Sequence, residues 1–185
     1  MPERNVAVLV GSLRKASYNR KMALALAKLA PETLKLDIVE IGALPLYNED
    51  LETAEPPTPW TDFRAAVRAK DAVLFVTPEY NRSVPGGLKN AIDVGSRPYG
   101  LSVWSRKPCA VVSVSPGAIG GFGANHHLRQ SLVFLDMPVL QQPEAYIGGA
   151  ASLFAEDGTI ADEKTRKFLA GLLGAFAAMI ERVAS

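Results

Sequence analysis

A chain of 185 residues, 48% hydrophobic and 21% charged, is long enough to bury a full hydrophobic core and has the composition of an ordinary globular protein. Its formal net charge of +1 gives no reason to expect nucleic acid, and its single cysteine excludes an internal disulfide and a Cys-based zinc site while suiting a reducing compartment. The opening MPERNVAVLVGS is apolar only from Val6 to Val10, too short for a signal-peptide core or a membrane span, so the expected location is the cytoplasm.

Val6–Val10 is an unbroken run of β-formers, the pattern of a strand buried on both faces. Asn19–Leu29 follows, with Met22, Ala23, Leu26, Ala27 and Leu29 at helical spacing, and stops before Pro31. Leu34–Ile41 reads as a second, partly alternating strand, and prolines from Pro45 to Pro59 predict an irregular connection. Trp60–Lys70 is predicted helical, with Phe63, Ala66 and Val67 on one face. Ala72–Val76 is a third buried strand, Gly87–Val94 a short helix, and Cys109–Val114 a fourth strand. Helical spacing resumes over Asn125–Leu135 through Leu128, Leu132 and Leu135. Val139–Leu140 and Ala145–Ile147 are the candidates for a last strand. A closing helix starts near Asp162, a suitable N-cap, and aligns Leu169, Leu172, Leu173, Phe176, Ile180 and Val183 on one face.

Strand and helix in alternation predict a doubly wound α/β sandwich, a parallel sheet covered by helices on both faces, in one domain over residues 1–185. Such sheets bind ligands beyond the carboxyl ends of their strands, near the switch point. The loops at 11–19, 77–87 and 115–123, rich in Gly, Ser, Pro and Asn, all fall on that edge and together describe a site.

The first loop, GSLRKASYN, is not a nucleoside-triphosphate loop, because Ala16 and Ser17 stand where that motif needs Gly and Lys. Nor is it the dinucleotide fingerprint, since Leu13 and Ala16 occupy the second and third glycine positions. What remains is a turn of hydroxyls and amides with Arg14 nearby, feeding a helix N-terminus whose dipole favours an anion. Ser12, Ser17 and Asn19 can donate to a terminal phosphate; equally, Ser17 or Asn19 can simply cap the helix. In the second loop, TPEYNRSVPGGLKN, prolines and glycines stiffen an exposed backbone whose amides can match the edge of a flavin ring, with Tyr80 packing nearby. A solvated turn made rigid by proline is the other reading.

GSLRKASYN, PEYNRSVPGGLKNAID and SPGAIGGFGA before HLRQ, in this order and spacing, resemble the NAD(P)H-dependent FMN reductases, most of all their bacterial quinone and chromate reductase branch. The resemblance runs from Val6 to about Ile147. It implies a flavodoxin-like three-layer sandwich with five parallel strands in the order 2-1-3-4-5. It also implies bound FMN, NADPH or NADH as hydride donor, with NADPH favoured, and ping-pong reduction of quinones or similar acceptors. On the matching positions, Gly11, Ser12, Arg14, Ser17 and Asn19 would hold the FMN phosphate. Pro78, Glu79, Tyr80 and Asn81 would line the isoalloxazine, mostly through backbone groups. Ser115, Gly117, Gly120 and Gly121 would close over the pyrimidine side and leave one flavin face open. Arg82 stands where relatives are often aromatic and, with His126, is the expected substrate contact. No side chain is required as a nucleophile. Relatives of this kind are commonly homodimers or homotetramers, and the apolar YGLSVW at 99–104 is the expected contact stretch.

Other residues read as structure. Cys109, at the head of an apolar strand, is expected to be a buried thiol. His126 and His127 are adjacent and face different ways, so they make no metal pair. Arg129 is expected on a solvated helix face, the alternatives being a pair with Glu144 or a contact of the two across a subunit interface, and Trp60 and Trp104 in the packing. A flavodoxin-like electron carrier shares the fold and FMN, but the near-neutral charge and the first loop argue against it. A phosphoacceptor receiver domain is excluded because Thr77-Pro78 and Gly11-Ser12 stand where it needs acidic residues.

Overall fold

The computed structural model describes residues 2–184. β1 (Arg4–Val10), β2 (Leu34–Ile38), β3 (Ala72–Thr77), β4 (Cys109–Val114) and β5 (Ala145–Ile147) form one parallel sheet in the order β2-β1-β3-β4-β5. Between them run α1 (Tyr18–Leu29), α2 (Thr58–Arg68), α3 (Gly86–Gly95) and α4 (Phe122–Phe134), and α5 (Glu163–Ala184) closes the chain. The sheet order and layering expected for the flavodoxin-like class are present.

The alternation of side chains along each strand divides the core in two. Val6, Val8 and Val10 of β1, with Leu74 and Val76 of β3, pack beneath α1 and α5. Ala7, Leu9, Val73 and Phe75 pack on the other face with Trp60, Phe63, Leu88, Trp104, Leu128 and Leu132. Trp104 donates its indole N–H to Ile92 O at 2.9 Å and Trp60 donates to Pro45 O at 3.0 Å, so both tryptophans are packed as expected and satisfied. Cys109 is fully buried, which pushes its thiol pKa well above the ordinary range.

Several boundaries differ for identifiable reasons. β2 stops at Ile38 rather than Ile41: its register with β1 ends at Val8–Ile38, and Ile41 turns into the opposite core cluster. α1 buries Ala25 instead of Ala27, and Val183 of α5 is 39% exposed because the helix runs past the core. α2 begins two residues early, with Pro59 in its first turn, where its missing N–H costs nothing. Its Arg64 is buried, pairs with Glu52 at 2.6 Å and donates to Val94 O at 2.9 Å, which straps the proline-rich connection to α3. Of the two candidates for the last strand, Ala145–Ile147 forms it, while Val139 makes only an isolated bridge to Cys109.

Candidate active site

β1, β3 and β4 end side by side, and the turns that follow them meet at the carboxyl edge of the sheet. Gly11 lies where the first turn leaves β1. A Cβ there would come within 3.1 Å of Thr77 Oγ1, Pro78 Cδ and Leu88 Cδ2, so the two strand ends approach this closely only because the residue has no side chain.

Ser17 is the N-cap of α1: its Oγ accepts from the N–H groups of Asn19 (3.1 Å) and Arg20 (3.3 Å). Those bonds use the oxygen and leave the hydroxyl proton free to donate. Capping and ligand donation, alternatives in the sequence, are therefore compatible in one side chain. Asn19 is 3% exposed and donates its Nδ2 to Val114 O at 3.3 Å, while its Oδ1 is buried without a partner. No acidic residue occupies the first turn of α1 to compete with an incoming anion.

A cavity of about 260 Å³ opens over this turn. Ser12, Arg14, Ser17, Asn19, Pro78, Glu79, Tyr80 and Ser115 line it, so the structure gathers most of the expected residues around one space. Tyr18, Val114 and Pro116 also line it. They carried no signal of their own, since a helix N1 position, a strand end and a turn proline read as scaffold.

The 78–85 loop closes into a tight hairpin. Tyr80 and Ser83 exchange both backbone hydrogen bonds at 3.0 Å, with Asn81 and Arg82 between them at φ 51° and 63°. Both central residues are left-handed, the requirement of a type I′ turn. The Tyr80 N–H is therefore committed within the loop, and Asn81 stands at the exposed hairpin tip, outside the cavity lining. The Glu79 carboxylate turns away to cap α4, accepting from Ala124 N at 3.0 Å, and meets Arg82 at 3.3 Å. Arg82 lies at the same tip, largely exposed.

The third loop contributes Ser115 to the lining, and Ser115 Oγ accepts from Gly117 N at 3.2 Å. Gly117 is exposed and outside the lining. Gly120 and Gly121 are buried at φ 65° and 77° and press against the sheet from behind. A Cβ on Gly120 would stand 2.5 Å from Tyr146 C, and one on Gly121 3.0 Å from Ser113 Cβ. These glycines shape the loop instead of facing the cavity.

α4 separates the two histidines as expected. His127 Nδ1 meets Ser83 Oγ at 2.7 Å, while His126 Nε2 meets the Tyr146 hydroxyl at 2.9 Å and its ring lies 4.2 Å from that of Phe122. His126 thus joins an aromatic cluster beside the site and does not line the cavity. Burial, then a hydrogen bond to Glu144, pushes the Tyr146 phenol up to about 12. Arg129 is half-buried and does not pair with Glu144: it donates to Asn125 Oδ1 at 2.9 Å and Leu140 O at 3.0 Å, tying α4 to the segment before β5. Among the described residues no group of His, Cys, Asp and Glu could hold a metal ion.

An open parallel sheet of order 2-1-3-4-5, with a hydroxyl-rich turn opening onto a cavity at the switch point, defines a flavodoxin-like protein. The chain belongs to the NADPH-dependent FMN reductase family, whose model matches residues 4–152. It is 70% identical over 177 residues to a quinone reductase of Pseudomonas putida, covering 96% of this chain and 95% of that protein. It is 46% identical over 175 residues to a 2-hydroxy-1,4-benzoquinone reductase of a Burkholderia species, covering 95% of each. Among solved structures it resembles FerB of Paracoccus denitrificans, a flavoenzyme NAD(P)H:acceptor oxidoreductase, with a TM-score of 0.92 and 46% identity over 97% of this chain and 98% of that one. The protein is accordingly an oxidoreductase that uses FMN with NAD(P)H as electron donor.

Proposed function

We propose that the protein reduces quinones with NAD(P)H, and that FMN sits in the cavity over the β1–α1 turn. The observation that carries the placement is Asn19. Its buried Oδ1 is an acceptor without a donor, and a ribityl hydroxyl of FMN is a donor of the right kind. The phosphate needs the opposite, and beside Asn19 stand the Ser12 and Ser17 hydroxyls, the first-turn amides of α1 and the Arg14 guanidinium. Donors for the phosphate and an acceptor for the ribityl chain fit FMN better than a free phosphate. Bound there, FMN would supply the two-electron redox chemistry that links NAD(P)H to the quinone.

The side chains bind and orient. Pro78, Tyr80 and Ser115 wall the space left for the isoalloxazine, and the hairpin closed between Tyr80 and Ser83 holds that wall rigid. Glu79 works through α4, whose N-terminus it fixes against the hairpin. Arg82 stands free enough at the tip to meet an anionic acceptor, and the His126–Tyr146 pair flanks the site where a quinol proton could be exchanged.

The whole chain acts as one FMN-binding domain in the cytoplasm; among the described residues no helix is long and apolar enough to cross a membrane. A homodimer or homotetramer is part of the same reading. Tyr99 (93% exposed) and Phe134 (85%), with Leu101 and Val133, form an apolar surface that a second copy would cover. Steady-state kinetics test the activity. Parallel double-reciprocal lines for NADPH and benzoquinone are expected, because donor and acceptor share one pocket; NADPH consumption no faster than with free FMN would contradict it.

A further inference from the structure

The β1–α1 turn has a second side. Between it and the chain that leaves β2 lies a cavity of about 310 Å³, with Leu13, Arg14 and Lys15 on one wall and Glu40 and Gly42 on the other. Ser12 and Arg14 line both this cavity and the one over α1, so the two spaces share a wall. The charges in it do not balance. Arg20 is matched by Glu40 through two hydrogen bonds, at 3.1 and 2.6 Å, which hold the Glu40 carboxyl below its usual range. The side chains of Arg14 and Lys15 are exposed, and among the described residues neither makes an ion pair or a hydrogen bond. Leu13, 57% exposed, adds an apolar wall, spanning from Gly42 (3.5 Å from a Cβ there) to Gly87 (3.4 Å).

With Arg14 turned to the FMN phosphate, a ligand suited to this space carries a phosphate for the unmatched Lys15 and a flat apolar ring for Leu13. It must also extend from the neighbouring cavity. We propose that it takes the 2′-phosphate-bearing adenosine end of NADPH, with Lys15 on the phosphate and Leu13 against the purine. Lys15 is then the residue that separates NADPH from NADH, which lacks that phosphate. Arg20, neutralised by Glu40, braces the far wall and keeps the carboxylate from repelling the ligand. This inference rests on FMN occupying the adjacent cavity, because that is what brings the nicotinamide end of the same molecule to the site.

The test uses FMN-loaded protein, with adenosine 2′,5′-bisphosphate as probe and 5′-AMP as control, in titration calorimetry. Kinetics with NADPH and NADH accompany it. One charge-assisted phosphate contact corresponds to roughly tenfold in affinity or more. The bisphosphate should therefore bind at least about tenfold tighter than AMP, and Lys15→Ala should remove most of that margin. The same variant should raise the NADPH KM roughly tenfold relative to the NADH KM, and Lys15→Arg should restore the preference. Equal binding of probe and control to the unaltered protein, or a KM ratio that Lys15→Ala does not move, overturns the inference. An FMN titration of the same samples separates the failures. Flavin retained without discrimination overturns this inference alone, whereas flavin not retained overturns the placement of FMN as well.

Discussion

A buried acceptor without a donor costs about 1–3 kcal/mol, and Asn19 Oδ1 is such a group. Proteins keep these where a ligand completes them, so the residue's cost in the free protein and its value in the complex have one origin. Asn19→Ala is expected to weaken FMN binding roughly tenfold while lowering the melting temperature little, because the unpaired acceptor goes with the bond to Val114. Flavin fluorescence titration and thermal denaturation measure the two separately. Arg82 makes a second case. Its φ of 63° is left-handed, a conformation that β-branched residues tolerate worst. Arg82→Val should destabilise by about 1 kcal/mol in urea unfolding, while Arg82→Gly should not. The sequence indicated that this residue breaks the usual aromatic pattern; its left-handed backbone, set by the Tyr80–Ser83 pairing, was not legible.

The strands and the helix that follows each were readable because long apolar runs and 3.6-residue spacing leave few alternatives, as Cys109–Val114 shows. α4 was harder. Its first turn, Phe122 to Ala124, looked like a continuation of the glycine-rich loop, and only the Glu79 carboxylate on Ala124 N reveals that the helix starts there. The glycines of that loop were legible as a set but not in their roles, which depend on what stands behind them. Gly120→Ala places a Cβ 2.5 Å from the backbone of Tyr146 at a left-handed φ of 65°. It should cost about 2 kcal/mol or more, and should weaken FMN binding by shifting Ser115. Ser17→Ala removes the cap of α1 and should cost about 1 kcal/mol on its own account. Far-ultraviolet melts of the flavin-free protein isolate that cost.

Contacts between elements distant in sequence decide what a pattern cannot. Asp37 of β2 meets Lys70, beyond α2, at 2.6 Å, and that hydrogen bond holds the Asp37 carboxyl below its usual range. A depressed carboxylate stabilises the fold above its unfolded pKa, about 3.9, and loses that contribution as pH falls through the folded value. The melting temperature of Asp37→Asn should therefore lie below that of the unaltered protein at pH 7, with the gap closing below about pH 4. The pair is partly exposed, so the gap is small and should shrink in salt. Assembly of the cavities is likewise a property of the fold. No sequence spacing joins Lys15 to Glu40 or Asn19 to Val114; the 2-1-3-4-5 order does. The most direct measurement is the visible absorption spectrum of the purified protein reconstituted with FMN, taken before and after anaerobic NADPH and again after benzoquinone. A bound-flavin spectrum that bleaches with NADPH and returns on adding benzoquinone is the expected result. No retained flavin, or bound flavin that neither NADPH nor NADH bleaches faster than free FMN, would contradict the account.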